Sequence, residues 1–537
     1  MKKIIFLIIL FVSIATIVLS QNIGIIWQNC YGGSEDDIVH DVVFVEEGFL
    51  ITGGTASVDG DISFNNGNSD FWLIKIDTTG NIIWEKTYGG SDGDFCTRII
   101  PAPGNNYYLL GNSMSSDGDI SYDPYPGSND IWVVKIDNQG NILWDKIIGG
   151  GMIDAIESAT VTSDGGVAVF GWTGSQNGDV TINYGMYDMW LVKLNSDGNI
   201  EWDKSYGTDD FDYGQAIIST SDGGFLIGGA STIGSGGNLT CEPFNFNAEA
   251  ILLKLNFLGN IEWQNCYGGS GHEGIWGMEE LIDGYILVGY GSSNDGDLIG
   301  SGWHGEGDIW VIKIDFFGNI IWQKCYGGSR FETSHKIFST SDNDFVIVGS
   351  TQSHDGDVTN NNTISEYSND IWFLKINNER NIITQRCFGG VGNEFMYNGT
   401  LQKGDNNYVI AAYTNYGPSY DVDCTPHGGN GDIDYWVFEI MMDDTVNVLS
   451  PVTSNREIKV YPNPVDDYVI FEIPNGLFST SKGVTIEIIN ILGQQVMSKL
   501  TTSEQTILDL RLLQNSVYFY QLQLNGMIYS GKMMIQR

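Results

Sequence analysis

The chain has 537 residues, of which 67 are acidic and only 25 are basic, so its formal net charge is −42. Because phosphate backbones and anionic lipid surfaces would be repelled, this charge argues against nucleic acid and membrane surfaces as partners. The length predicts more than one domain, and the 69 glycines suit many tight turns between short strands.

The N-terminus has the pattern of a secretory signal peptide. Two lysines precede an apolar run from Ile4 to Leu19, and Ser20 follows that run. We predict that residues 1–20 are removed, with an uncleaved anchor as the alternative. No later run is long enough to span a bilayer, so we expect a mature chain without a transmembrane segment. It would pass through the periplasm to the outer cell surface or the extracellular space.

A repeated unit fills most of the chain. Its clearest copy reads SDFWLIKIDTTGNIIWEKTYGG, and its first tryptophan recurs about every 61 residues, a period typical of propellers and solenoids. The copies and their worn versions stand at 69–90, 129–150, 187–207, 249–269, 307–328 and 369–390.

Each unit is predicted to form four short strands. The third strand is apolar on both faces, which indicates a sheet sandwiched between neighbouring sheets. In the first unit the four strands are predicted at 37–45, 48–55, 70–77 and 80–90.

The number of strands predicts how the series ends. The third-strand and fourth-strand patterns each occur seven times, but one fourth-strand copy, at 23–33, precedes all the others and none follows Trp436. Pairing this N-terminal strand with the last unit would leave no open end. We therefore predict an all-β fold, a seven-bladed β-propeller over residues 22–445 closed by the N-terminal strand. A linear solenoid is the alternative.

The seven cysteines give no metal-site pattern, because no CxxC pair occurs. Four of them share one repeat position where other copies have Thr, Ile or Ser, so we interpret that position as a small packed slot. We predict no zinc site and no disulfide framework, and one loop disulfide stays open. The four are Cys30, Cys266, Cys325 and Cys387.

An acidic residue ends the YGGxxx(D/E) loop in every copy. We interpret its carboxylate as structural, either accepting loop N–H groups or pairing with the lysine of the third strand. A ring of carboxylates that binds cations is the functional alternative. The seven residues are Asp37, Asp94, Asp154, Asp212, Glu273, Glu332 and Glu394.

A second acidic pattern, S-x-D-G-D, recurs in the loop before the third strand. Paired carboxylates and loop carbonyls could hold Ca²⁺, which is the one cofactor that the sequence suggests. Asp-Gly is also an ordinary turn signal and the spacing is not that of an EF-hand, so a structural turn is the alternative. The candidate ligands are Asp59, Asp61, Asp117, Asp119, Asp295, Asp297, Asp355 and Asp357.

Tryptophans divide into two groups. The segment DTTGNIIW at 77–84 resembles the tryptophan-docking motif of quinoprotein propellers, which implies a ring packed between blades. Trp172, Trp276 and Trp303 lie outside the repeat positions and are our candidates for stacking on a ligand. Long variable loops gather with the YGG loops on one predicted face, the long-loop face, where binding is normally found.

No catalytic residue can be assigned. The six histidines lack metal-ligand spacing, and no nucleophile elbow, zinc-protease or P-loop motif occurs. Carboxylates are so numerous that a glycosidase pair stays open.

After a linker predicted at 446–457, period-2 strands with short turns predict a small immunoglobulin-like β-sandwich over 458–537. This segment resembles the type A sorting domain of the type IX secretion system, and the repeat unit resembles a β-propeller repeat family of secreted Bacteroidota proteins. The resemblance implies that the type IX machinery is a partner and that the domain is usually removed. The matching residues include Tyr461, Pro462, Asn463, Pro464, Gly493, Tyr518 and Lys532.

Together these patterns predict an exported propeller that binds an extracellular glycan or protein through its long-loop face without catalysis. An enzyme that acts on polysaccharide and a purely structural surface protein are the alternatives.

Overall fold

The computed structural model describes residues 22–232, 234–240, 247–362, 367–429, 431–443, 459–461, 465, 467–472, 484–490, 495–501, 503, 505–524 and 527–535. The signal peptide, the linker and the predicted sorting residues Pro462, Asn463, Pro464 and Gly493 lie outside these ranges. Apart from one 3-10 turn, Gly296–Leu298, the described residues form strands and their connections. The chain divides into two compact units, Met1–Asp443 and Asp444–Arg537.

In its described part, the first unit contains seven four-stranded antiparallel sheets, the repeated element of a β-propeller. Sheet 1 has β2 (Asp37–Val45), β3 (Gly48–Thr55), β4 (Asp70–Ile76) and β5 (Ile82–Tyr88). Sheet 2 has β6 (Asp94–Ala102), β7 (Asn106–Ser113), β8 (Asp130–Ile136) and β9 (Ile142–Ile148). Sheet 3 has β10 (Asp154–Val161), β11 (Val167–Thr173), β12 (Asp188–Leu194) and β13 (Ile200–Tyr206).

The remaining sheets follow the same order. Sheet 4 has β14 (Asp212–Ser219), β15 (Phe225–Ser231), β16 (Glu249–Leu255) and β17 (Ile261–Tyr267). Sheet 5 has β18 (Glu273–Leu281), β19 (Gly284–Gly291), β20 (Asp308–Ile314) and β21 (Ile320–Tyr326). Sheet 6 has β22 (Glu332–Ser339), β23 (Phe345–Thr351), β24 (Asp370–Ile376) and β25 (Ile382–Phe388). Sheet 7 has β26 (Thr400–Gly404), β27 (Asn407–Thr414), β28 (Asp434–Asp443) and the N-terminal strand β1 (Asn22–Tyr31).

The third strand of each sheet is buried on both faces, as its sequence predicts. Its tryptophan is at most 1% exposed in six sheets, and the indole N–H is satisfied by a side chain of the fourth strand. In sheet 1, Trp72 donates to the Glu85 carboxylate at 3.3 Å. In sheet 7 the acceptor is Gln28 of β1, which bonds Trp436 at 2.8 Å, so the N-terminal strand makes the contact that a fourth strand makes elsewhere.

Hydrophobic clusters join each sheet to the next, and one cluster joins sheet 7 to sheet 1. In that last cluster Val39 and Ile74 pack with Val409 and Val437. The fourth-strand tryptophan also bridges sheets, since a Cβ on Gly198 would lie 3.0 Å from the Trp144 ring. The tryptophan-docking expectation is therefore confirmed at this position, where Gly198 has the positive φ of 83° that favours glycine.

A disulfide joins the N-terminal strand to a loop of sheet 7. Cys30 and Cys424 are bonded with their Cα atoms 5.7 Å apart, and Cys266 is also disulfide-bonded. The interpretation of the shared cysteine position as a packed slot is therefore wrong for Cys30 and Cys266, although Cys325 and Cys387 are free and buried as expected. The slot lies on the outer strand beside a variable loop, so a cysteine in the loop can reach it.

The second unit contains a three-stranded and a four-stranded sheet in its described part. Tyr518 is 6% exposed, packs in one hydrophobic cluster with Phe471 and Ile488 from both sheets, and donates its hydroxyl to the Gln514 carbonyl at 3.1 Å. The shared core is typical of a β-sandwich. The strands are β29 (Lys459–Tyr461), β30 (Tyr468–Glu472), β31 (Val484–Asn490), β32 (Gln495–Thr501), β33 (Gln505–Asp509), β34 (Ser516–Leu524) and β35 (Met527–Ile535).

We predict that Cys30→Ser lowers the free energy of unfolding of the first unit by about 2–4 kcal/mol, because it removes a cross-link between distant parts of the chain. Thermal and urea unfolding of the full chain would measure the loss. The double variant Cys30→Ser/Cys424→Ser should be no less stable than the single one. An unchanged unfolding midpoint in Cys30→Ser would contradict the prediction.

Candidate functional site

The backbone where one sheet passes to the next is held by the S-x-D-G-D loop. In the second copy the Asp119 N–H donates to the Gly89 carbonyl at 2.9 Å, and its carboxylate accepts the Gly89 N–H at 3.2 Å. Asp117 accepts the Ser91 N–H at 2.7 Å. Equivalent carboxylate bonds are made by Asp59, Asp61, Asp295, Asp297 and Asp355, and Asp357 donates its N–H to the Gly327 carbonyl.

These contacts explain the pattern without a metal ion. Within the ranges that the structure describes, no group of three or more His, Cys, Asp or Glu side chains is placed to hold one. Calcium binding by the S-x-D-G-D loops stays a prediction.

The acid at the end of the YGG loop is buried and binds the loop backbone. Asp94 accepts the Gly90 N–H and the Ser115 hydroxyl, both at 2.8 Å. This confirms the structural interpretation of the carboxylate. The alternative, in which this acid pairs with the lysine of the third strand, is wrong for the lysines whose ion pairs the structure describes. Lys193 pairs with Asp164 at 2.9 Å and Lys254 with Asp222 at 2.8 Å, and neither aspartate is the acid of the YGG loop.

A second buried acid, the first residue of the third strand, faces the first across a glycine. A Cβ on Gly89 would lie 2.4 Å from Asp70 Oδ1 and 2.8 Å from Asp94 Oδ2, so the position admits no side chain. The paired acids are Asp37 and Asp434, Asp70 and Asp94, Asp130 and Asp154, Asp188 and Asp212, Glu249 and Glu273, Asp308 and Glu332, and Asp370 and Glu394.

Burial raises the pKa of these acids, Glu249 aside, because the charged form loses its hydration. The pKa of Asp130 rises to about 7, that of Asp370 to about 8 and that of Glu394 to about 7. After burial, the nearby Glu394 carboxylate also raises the pKa of Asp370, because two like charges repel each other. Near neutral pH, several of these pairs therefore hold a proton.

The innermost strands carry the feature that the sequence analysis missed. In six sheets the register shifts at the fourth residue of the first strand, which forms a β-bulge there. Bulges redirect side chains and are frequent beside functional sites. With the equivalent residue before β26, the bulge layer consists of His40, Thr97, Glu157, Gln215, Trp276, His335 and Tyr397.

Aromatic and imidazole rings of the bulge layer stack between sheets. Trp276 lies on His335 with centroids 5.0 Å apart and planes 12° apart, and His40 lies on Tyr397 at 4.4 Å and 7°. His335 meets Tyr397 edge to face at 6.2 Å. Sheets 5, 6, 7 and 1 are therefore joined by one run of rings.

One cavity of about 150 Å³ lies next to the bulge layer and is lined by six of the sheets and by Asn398, which precedes β26 of sheet 7. Two residues of the bulge layer, Trp276 and His335, belong to its lining. The rest of the lining consists mainly of residues that follow a bulged residue in the chain. These following residues include Asp41, Arg98, Ser158, Ala216, Lys336 and Asn398. We call it the central cavity.

The three predicted stacking tryptophans have different surroundings. Trp276 lines the central cavity, and Trp172 packs against Tyr187 and Tyr213 and lies close to Glu157 of the bulge layer. Trp303 instead packs on the hydrophobic cluster of sheets 4 and 5, and its indole N–H has no hydrogen-bond partner among the described residues. The structure thus brings two of the three candidates to one region.

A sequence signal for the bulge layer does exist. Aligned on the YGG acid, the first strands read DIVH, DFCT, DAIE, DYGQ, EGIW, ETSH and EFMY. The fourth column is polar or aromatic in every copy and nearly always different, whereas the first is always acidic. A column that varies in this way within a constant repeat could have been recognised.

Residues 459–536 match a known family, described as the secretion system C-terminal sorting domain. The chain carries a type IX sorting domain. This confirms the resemblance that Tyr461, Tyr518 and Lys532 suggested, and it implies export to the cell surface or the extracellular space. No helix in the described ranges is long and apolar enough to cross a membrane.

Similarity to other proteins is low. The chain is 26% identical over 176 residues to the regulatory protein FlaEY of Caulobacter vibrioides, which covers 30% of this chain and 18% of FlaEY. PorZ, a surface component of the type IX secretion system of Porphyromonas gingivalis, is 9% identical with a TM-score of 0.38, covering 94% of this chain and 60% of PorZ. The endosialidase of phage phi92 is 11% identical with a TM-score of 0.40, covering 96% and 87%.

We predict that the stability of the first unit falls as the pH rises from about 4 to about 8. Folded-state pKa values of about 7 to 8 exceed the value near 4 in the unfolded chain, so the folded state keeps protons that the unfolded state has lost. Urea unfolding at several pH values would measure the slope. Asp370→Asn should flatten it between pH 6 and 8, because the amide replaces a protonated carboxyl, whereas the exposed Asp92→Asn should not. A stability that rises across this window would refute the assignment.

We predict that Gly356→Ala destabilises the first unit by about 1–3 kcal/mol. Gly356 has a φ of 65°, and a Cβ there would lie 2.4 Å from the Gly327 carbonyl oxygen. Gly404→Ala is the matched control, since nothing lies within 4 Å of its Cβ position. Equal unfolding midpoints for the two variants would show that the loop contact is unimportant.

Proposed function

We propose that the first unit is a closed seven-bladed β-propeller that binds an extracellular glycan or protein non-enzymatically. Closure is supported by the pairing of β1 with β28 and by the hydrophobic cluster between sheets 7 and 1. The sorting domain would deliver the propeller to the cell surface or the medium. We propose that the propeller spans residues 22–445 and the sorting domain residues 458–537.

The observation that carries the binding function is the bulge layer with its cavity. Every repeat supplies a residue to one shared cavity, and the bulge residues beside it nearly all differ from copy to copy. A packing role would repeat with the blade, whereas recognition of one asymmetric ligand requires different groups around it. We propose that the long-loop face and the central cavity behind it form one binding surface.

Hydrolysis is the second candidate function. Burial raises the pKa of Asp41, which lines the cavity. Surrounding protein also raises the pKa of Glu157, although its side chain keeps contact with solvent. A carboxyl group with a raised pKa is what a glycosidase uses as its general acid.

We predict that the full chain is retained on one polysaccharide or protein ligand without altering it. Trp276→Phe should weaken retention at least tenfold, because it changes the cavity lining, and Trp303→Phe should not. Affinity chromatography followed by product analysis would measure both. If only Trp303→Phe weakens retention, the binding site lies at the loop that carries Trp303 and not at the central cavity. Breakdown of the glycan would establish the enzymatic alternative.

The same experiment tests the calcium prediction. Retention measured with Ca²⁺ and then with EDTA should fall in EDTA if the S-x-D-G-D loops hold the ion. Failure to retain any glycan or protein would leave a structural surface role.

A further inference from the structure

The lining of the central cavity is positively charged, although the chain as a whole is strongly negative. It contains the cations Arg98 and Lys336 and the single anion Asp41. Burial lowers the pKa of His335 to about 3, so this residue adds no charge near neutral pH. The lining therefore carries one formal positive charge in a chain with a net charge of −42.

Arg98 and Asp41 are held by protein groups. Arg98 donates to the Glu157 carbonyl at 3.0 Å and is 3.4 Å from the Ser158 hydroxyl. The Asp41 carboxylate accepts the N–H of Val42 at 2.9 Å and a second backbone N–H, from strand β6, at 3.2 Å.

Lys336 differs from both. Its ammonium group has no hydrogen-bond or ion-pair partner among the described residues, and burial lowers its pKa against the weaker opposing effect of Asp41. Lys336 is only partly buried, so its ammonium keeps some hydration, and an anionic group in the cavity would give it the partner that the described residues do not.

Size and ring packing limit the ligand further. Ligand pockets of drug size are about 300–1,000 Å³, so a cavity of about 150 Å³ suits one small unit. Trp276 already stacks on two protein rings, on His335 and on Tyr290 at 5.9 Å and 20°. Polar contacts rather than stacking are left to recognise the ligand.

We propose that the central cavity binds a terminal sugar unit with one negative charge, a uronate carboxylate or a sulfate ester, at Lys336. This inference rests on the proposed binding function. A singly charged group neutralises the cavity lining, whereas a phosphate monoester would leave it negative. Charges on the outer surface are screened within about 8 Å at physiological salt, so they do not prevent entry.

The competing interpretation is that Lys336 only compensates the buried charge of Asp41. In that case Lys336→Met would leave an unpaired carboxylate and lower the unfolding midpoint, with no specific effect on ligands. Under our proposal Lys336→Met leaves the midpoint unchanged or raises it, because it removes an ammonium that lacks an acceptor.

The test uses calorimetric titration of the full chain at physiological salt with oligogalacturonate, its neutral methyl ester and a sulfated galactan oligosaccharide. We expect at least one acidic probe to bind at least tenfold more tightly than the methyl ester, and the two acidic probes distinguish carboxylate from sulfate. Lys336→Met should lose that preference, Lys336→Arg should keep part of it, and Lys86→Met, on the outer strand β5, should change nothing.

Three outcomes would overturn the inference. If the methyl ester binds as tightly as the acidic probes and Trp276→Phe weakens it, the proposed function stands and the charge requirement is wrong. If Lys336→Met lowers the unfolding midpoint without changing any affinity, the lysine is structural. If no probe binds while a protein or neutral glycan is retained in the chromatography, the cavity does not recognise acidic sugars.

Discussion

The fold depends on how the backbone is held where the outer strand of one sheet becomes the inner strand of the next. Two residues occupy this crossover, both of them glycine in six of the seven copies, and their N–H and C=O groups would be buried and unpaired without help. A buried acid accepts one N–H, as Asp94 does from Gly90, and the S-x-D-G-D loop binds the rest. Because a buried unpaired backbone group costs a few kcal/mol, loss of these partners would destabilise the junction between neighbouring sheets.

The same crossover explains why so many acids are buried in this chain. Two carboxyl groups approach each crossover glycine, and like charges at that distance cannot both be ionised in a low-dielectric site. A proton on one of the two acids resolves the conflict, in line with the raised pKa values of Asp370 and Glu394. The formal charge of −42 therefore overstates the negative charge of the folded chain near neutral pH.

The sequence was sufficient to predict the structural features that recur in every repeat. Alternating apolar residues around Trp72 predicted a strand buried on both faces, and the shared position of Asp94 predicted a loop-binding acid. One loop disulfide was left open but was not assigned to Cys30, because the repeat describes the slot and not the loop that reaches it. The bulge layer was missed because a bulge depends on pairing with a partner strand, which no single strand reveals. Trp276 was selected because it lies outside the repeat positions, and the sequence did not show that it is the bulged residue of its strand. Trp303 also lies outside the repeat positions, but it packs on a hydrophobic cluster.

Repetition also separates positions that serve the fold from positions that can serve recognition. The crossover acid and the third-strand tryptophan recur because every sheet must pack on two neighbours in the same way. A bulged residue is not paired with a residue of the neighbouring strand. Its side chain therefore does not have to serve the packing that every sheet repeats, and it can differ from sheet to sheet. His40, Glu157 and Trp276 show how far it differs. A scaffold with equivalent sheets can in this way surround its centre with unlike groups, and asymmetric recognition needs no change in the packing that holds the sheets together.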